Sequence, residues 1–128
     1  MEIPRKGETI THERTFTVED VRQFAALSGD TQPRHTVPDE EGRLMVPGLL
    51  TATMPTKLGG DRKALSPRME FEFRKPVYTG ERIVCTATYG EVVERDDRYE
   101  FSWDVSCENE AGDVVLDATV DGLVRKDG

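Results

Sequence analysis

At 128 residues and 14.4 kDa the chain is sized for a single compact domain, 1–128, and can bury a core without disulfides or metal. Twenty-five Asp and Glu against 17 Lys and Arg leave a net charge of −8, which argues against nucleic-acid binding, where a basic patch must neutralise phosphates. No apolar run reaches the roughly 20 residues of a membrane span, and MEIPRKGETI lacks the apolar stretch of a secretory signal, so a soluble cytoplasmic protein without membrane contact is expected.

The first predicted element is a strand over Thr9–Phe16. A helix follows: Thr17 is placed to cap it, Asp20 holds the capping-box position, and Val18, Val21, Phe24, Ala25 and Leu27 or Ser28 recur at helical spacing up to a stop at Gly29. Asp30 to Met45 has no period and contains Pro33, Pro38 and Asp39-Glu40-Glu41, which predicts a loop or a broken short helix. Pro47 fits the first turn of a second helix running through Leu49, Leu50, Ala52, Thr53 and Leu58 to Gly59-Gly60. Small and apolar residues surround most of its circumference, so it is expected to be buried on several sides, and Pro55 to bend it or end its regular part early.

The remainder alternates with a period of two. Met69, Phe71 and Phe73 mark one strand, Ile83 to Tyr89 a second, Tyr99 to Cys107 a third and Val114 to Val120 a fourth. Turn residues lie between them at Thr79-Gly80-Glu81, Glu94 to Asp97 and Ala111-Gly112-Asp113. The expected architecture is α+β: an antiparallel meander with one apolar face, covered by the buried helix. The two middle strands carry their apolar residues at odd positions, and pairing Cys85 with Cys107 satisfies that parity. Their spacing matches no zinc motif; buried thiols are expected, because a reducing cytosol disfavours the cross-strand disulfide.

Chemistry-bearing residues are few. His12 lies in the terminal strand among Thr and Glu and reads as a surface residue, whereas His35 ends the segment Ser28-Gly29-Asp30-Thr31-Gln32-Pro33-Arg34-His35. A carboxylate and an imidazole flanking a proline-stiffened turn can converge on one water and supply both halves of a proton transfer. In Val46-Pro47-Gly48-Leu49-Leu50, a glycine in a helix's first turn offers an unobstructed backbone N–H, the device of an oxyanion hole.

FTVEDVRQFAALSGDTQPRH, then VPGLL opening a buried helix, then FEFRKPVYTGE leading into antiparallel strands, resembles the MaoC-like dehydratases, which include the (R)-specific enoyl-CoA hydratases of the hotdog fold. The similarity covers about residues 14 to 124. It implies a sheet wrapped around a central helix from Pro47 to about Gly59, a homodimer or larger oligomer whose sheets join, and an acyl-CoA thioester as substrate, with no cofactor beyond that CoA and no metal. By resemblance Asp30 and His35 are the catalytic pair and the Gly48 amide polarises the thioester carbonyl. Thr56 falls where many members have a Ser facing the site.

The sequence also departs from the family. Gln32 stands where the family motif has Asn, and Pro47 where it usually has His. Arg34 takes a normally apolar position and is a candidate for binding a substrate carboxylate, while only 12 residues separate His35 from Gly48, so the loop that often shapes the acyl pocket is trimmed. Arg62 and Lys63, with Arg68, are candidates for the CoA phosphates. The expected activity is reversible hydration of a trans-2-enoyl-CoA to a (R)-3-hydroxyacyl-CoA; the alternatives are a non-catalytic acyl-CoA-binding subunit of a heteromer and a hotdog thioesterase. Five Lys against twelve Arg in so acidic a chain further suggests a protein of a salty cytoplasm, where counterions screen self-repulsion.

Overall fold

Local signals set the first half of the structure, a computed structural model that describes residues 2–128. Strand β1 spans Thr9–Thr15 and helix α1 Val18–Ser28. At the start of α1 the Asp20 N–H donates to Thr17 Oγ1 (3.1 Å) and the Thr17 N–H to Asp20 Oδ2 (2.9 Å), closing the capping box. The Thr17 N–H also holds the Asp20 carboxyl below the usual carboxylate range. Gly29, at φ 80°, ends the helix in the left-handed conformation expected of it. The aperiodic stretch yields a single turn of helix, α2 (Pro33–Thr36), and a two-residue strand, β2 (Met45–Val46).

The central helix is interrupted. Helix α3 spans Gly48–Thr51 and α4 Thr53–Asp61, with Ala52 at φ −65° and ψ −11° between them. Pro55 has no N–H to offer the Thr51 carbonyl four residues back, so the ladder fails there. Pro47 caps α3 from outside the helix, one position earlier than expected. Leu50, Met54 and Leu58 are buried, joining one core with Phe16, Val21 and Leu44 and with the inner face of the sheet.

That sheet has five strands. β3 (Leu65–Phe73), β5 (Arg82–Glu94), β6 (Arg98–Glu108) and β7 (Val114–Arg125) are joined by β1, in the order β1-β5-β6-β7-β3, while β4 (Val77–Tyr78) pairs with β2. The expected four-strand meander is therefore corrected: only β5, β6 and β7 follow it. After β3 the chain passes Pro76 into β4, so no tight hairpin ties β3 to β5; β3 takes the far edge beside β7, and β1 the place beside β5. Cys85 and Cys107 lie directly opposite each other, both buried as free thiols. A hydrogen bond donated by the Cys107 S–H to Cys85, followed by burial, pushes the Cys107 thiol far up. The outer face carries Thr86, Thr88, Asp104, Ser106, Asp117 and Thr119, and none of the described residues forms a layer over it. Among the described residues no helix is long and apolar enough to cross a membrane.

His12 departs from the surface position expected of it. Alternation along β1 turns Ile10, His12 and Arg14 toward the helices and leaves them half-buried; burial, followed by the nearby Lys57 and Arg14 cations, lowers its pKa.

Tyr89, Phe101 and Trp103 form an aromatic cluster with ring centroids 5.1 to 5.6 Å apart. Gly122 lies opposite Phe101 on β7, and a Cβ there would fall 2.6 Å from the Phe101 ring. Because that ring is only 5% exposed it has no room to retreat. Gly122→Ala is expected to cost about 1–3 kcal/mol through overpacking, measured as a fall in the denaturant midpoint with unchanged slope.

Candidate active site

Helix α1 stops at Gly29 and delivers Asp30 into a turn built from short polar bonds. The Asp30 N–H donates to Ser28 Oγ (3.1 Å), and Gln32 Nε2 donates to Asp30 Oδ1 (2.8 Å). The one-turn helix α2 then carries His35 inward, where it is 5% exposed, whereas the Asp30 side chain stays 45% exposed. His35 Nδ1 lies 2.7 Å from the Met45 carbonyl oxygen. A carbonyl only accepts, so Nδ1 carries the hydrogen and donates; in the neutral imidazole this leaves the Nε2 lone pair free. Nε2 sits 3.5 Å from Asp30 Oδ2, so two acceptors lie side by side where one donor of two hydrogens, seated on the flank of the pair, can reach both.

Gly48 opens α3 just beyond β2. Among the described residues neither its N–H nor that of Leu49 has a hydrogen-bond acceptor. The Phe73 ring, at the end of β3, lies flat against it: a Cβ on Gly48 would come within 2.8 Å of two ring carbons. The glycine is what lets β3 approach the helix start this closely.

Asp30, His35 and Gly48 line one cleft of about 560 Å³. Val46, Thr51, Val77 and Val115 form its buried floor, Phe24, Met45, Leu49 and Phe73 its apolar walls, and Arg74 and Lys75 stand among its lining residues on the exposed side. Both cations are engaged in half-exposed ion pairs, Arg74 with Asp117 (2.7 Å) and Glu72 (3.0 Å), Lys75 with Asp113 (3.2 Å). Such pairs are weak enough for a ligand to compete with.

The other residues singled out in the sequence lie elsewhere. Thr56 donates back to the Ala52 carbonyl (3.2 Å) and lines a separate slot with Pro55, Trp103 and Gly122. Arg62 pairs with Glu2 (2.6 Å) and Glu8 (3.7 Å), pinning the N-terminal segment to the end of α4. Lys63 sits exposed in the following turn at φ 56°, and Arg68 pairs with Glu70 on β3 (3.2 Å). Arg34 is exposed and outside the cleft lining, and Gln32 reaches the site only through Asp30. Thr51, Arg74 and Lys75 were missed; Arg74-Lys75-Pro76 at a strand end was the visible signal, but only the edge position of β3 brings it to the helix start. Among the described residues no group of three or more His, Cys, Asp or Glu side chains is placed to hold a metal ion.

No protein-family model matches this sequence, and a search of curated proteins found no match. Solved structures do match. The (R)-hydratase from A. caviae involved in PHA biosynthesis superposes with a TM-score of 0.82 at 20% identity, over 95% of this chain and 98% of that one. The chain has the hotdog fold. The R-hydratase PhaJ1 from Pseudomonas aeruginosa gives a TM-score of 0.83 at 16% identity, covering 95% of this chain and 86% of its own. The MaoC-like dehydratase from Rhodospirillum rubrum gives 0.78 at 21% identity, over 95% and 93%. In hotdog terms α3 and α4 are the central helix and β3 is one of the sheet's two edges, and the cleft lies where the start of that helix meets the end of that edge.

Proposed function

We propose that this chain is a MaoC-like hydratase that adds water reversibly to a trans-2-enoyl-CoA, giving a (R)-3-hydroxyacyl-CoA. The observation that carries the reading is the pair of acceptors, His35 Nε2 and Asp30 Oδ2, 3.5 Å apart at one wall of an apolar cleft. A water on the cleft side of the pair, within hydrogen-bond reach of both, donates one hydrogen to each and turns a lone pair toward Cβ of a bound enoyl group. As the C–O bond forms, one water proton passes to the pair, the Cα–Cβ π electrons move toward the thioester carbonyl, and a proton from the pair is delivered to Cα. The Gly48 N–H, free of any helix acceptor, is the donor to the developing enolate oxygen. The residues use only general acid–base and electrostatic chemistry, so CoA enters as part of the substrate.

Gln32 takes the place of the family's Asn without forfeiting its task on this reading, since its longer side chain still reaches the Asp30 carboxylate. Arg74 and Lys75 replace Arg62 and Lys63 as the cations that meet the CoA phosphates. The working unit is a homodimer in the cytoplasm. Strand β3 leaves Leu65, Met69 and Phe73 exposed along the edge that ends at the cleft, so a second copy there would wall it.

The test is crotonyl-CoA in molar KCl. Loss of enoyl absorbance without free thiol is the expected result. Thiol release would make the protein a thioesterase, and tight CoA-ester binding with neither change would make it a binding subunit.

A further inference from the structure

Thr51 is the residue of the cleft that the proposed hydration leaves unused. It stands three residues after Gly48, on the same side of the helix start, and is 3% exposed. Its companions on the cleft floor are the buried Val46, Val77 and Val115. Two other threonines of this stretch satisfy their hydroxyls on the chain itself, Thr53 at Leu50 O and Thr56 at Ala52 O. Thr51 makes no such bond to a described residue, and the carbonyl four residues back, Pro47 O, already receives the Leu50 and Thr51 N–H groups. A hydroxyl that opens onto an apolar floor costs free energy once an apolar ligand covers it and shuts out water.

We propose that Thr51 selects the substrate: its hydroxyl bonds an oxygen carried on the acyl group beyond the reacting double bond, so the preferred thioester is a hydroxyacyl or oxoacyl ester and not a plain alkyl one. The identity of the ligand as an acyl thioester rests on the hydratase reading; the preference for oxygen rests on Thr51. A hydroxyl donates and accepts, which suits either a hydroxyl or a carbonyl partner. Discrimination runs hard in this direction, because an alkyl group seated on Thr51 leaves a buried polar group unpaired, whereas an added methylene alone is worth little.

The test uses saturated esters matched in size, 4-hydroxybutyryl-CoA against pentanoyl-CoA and 5-hydroxypentanoyl-CoA against hexanoyl-CoA, with dissociation constants measured by calorimetry. The wild type is expected to bind at least one hydroxylated ester about tenfold more tightly than its alkyl partner. Thr51→Val, which exchanges the hydroxyl for a methyl group, is expected to abolish or reverse that preference, and Thr51→Ser to retain it. Equal or tighter binding of the alkyl ester in both pairs overturns the proposal, as does a preference that survives in a folded Thr51→Val; should that variant not fold, loss of the preference in Thr51→Ser overturns it instead. Saturated esters cannot be hydrated, so the two readings fail separately: an oxygen preference without enoyl turnover overturns only the hydratase, and turnover without preference overturns only the role of Thr51.

Discussion

Replacing Asp30 by Asn is expected to lower the rate of crotonyl-CoA hydration about a thousandfold while leaving the fold intact. The side chain keeps its shape, and its amide oxygen can still accept from Gln32 Nε2 in place of Oδ1. The amide nitrogen then takes the position of Oδ2, 3.5 Å from His35 Nε2. A carboxylate there accepts a hydrogen from water; an amide donates one, and the nearest acceptor is the Nε2 lone pair itself. The substitution thus removes one half of the water site and occupies the other. Because Asp30 is half-exposed, the melting temperature should hardly move. His35→Gln attacks the same pair from the buried side. Its amide can still donate to the Met45 carbonyl, so folding survives at a cost of about 1–3 kcal/mol, but no group with the proton affinity of imidazole remains. Steady-state hydration of both variants beside their melting curves decides the matter: more than a tenth of the wild-type rate in folded Asp30→Asn overturns the assignment.

The parts of the fold that local chemistry dictates were legible in the sequence. The Thr17–Asp20 box and the Gly29 stop depend on a few residues each and are present, and the opposition of Cys85 and Cys107 is one of the registers that the parity of the two strands allows. The place of β3 was not legible, because alternation reports which face a strand buries and says nothing about its neighbour. Only the length and route of the connection decide that, and here Pro76 and the β2–β4 pairing divert the chain. The candidate site divides in the same way. Asp30, His35 and Gly48 meet in one cleft, the first two a few residues apart and the third tied to them through the bond from His35 to the Met45 carbonyl. Thr56 rested on the family resemblance alone, and its side chain lines the other slot. Arg62 looked free because the acids that neutralise it, Glu2 and Glu8, are more than fifty residues away in the chain.

Met69→Glu is expected to convert a dimer into monomers and to remove activity with it. Strand β3 is an edge whose outer row of N–H and C=O groups has no partner strand, the kind of edge that pairs unless it is blunted. Its inner face stays apolar and open beyond the bulge, with Met69 41% and Phe73 51% exposed. β3 spans Leu65–Phe73, so antiparallel pairing of its full length with a second copy puts its midpoint, Met69, on the two-fold axis. That register sets Arg68 against Glu70 of the partner subunit on the outer face, cation with anion. A glutamate at residue 69 places two carboxylates side by side at the axis, where like charges directly opposite repel and must also be desolvated. Dimer dissociation should weaken affinity by about a hundredfold or more, read by light scattering in molar KCl. The apolar cleft wall at Phe73 then loses its cover, which is why hydration falls together with mass. Arg68→Glu offers the converse check: it opposes Glu70 across the axis and weakens the dimer, and Glu70→Arg in the same chain restores the charge pair and with it the dimer. A wild-type monomer in high salt, or a Met69→Glu chain that remains dimeric, places the oligomer interface elsewhere on the molecule.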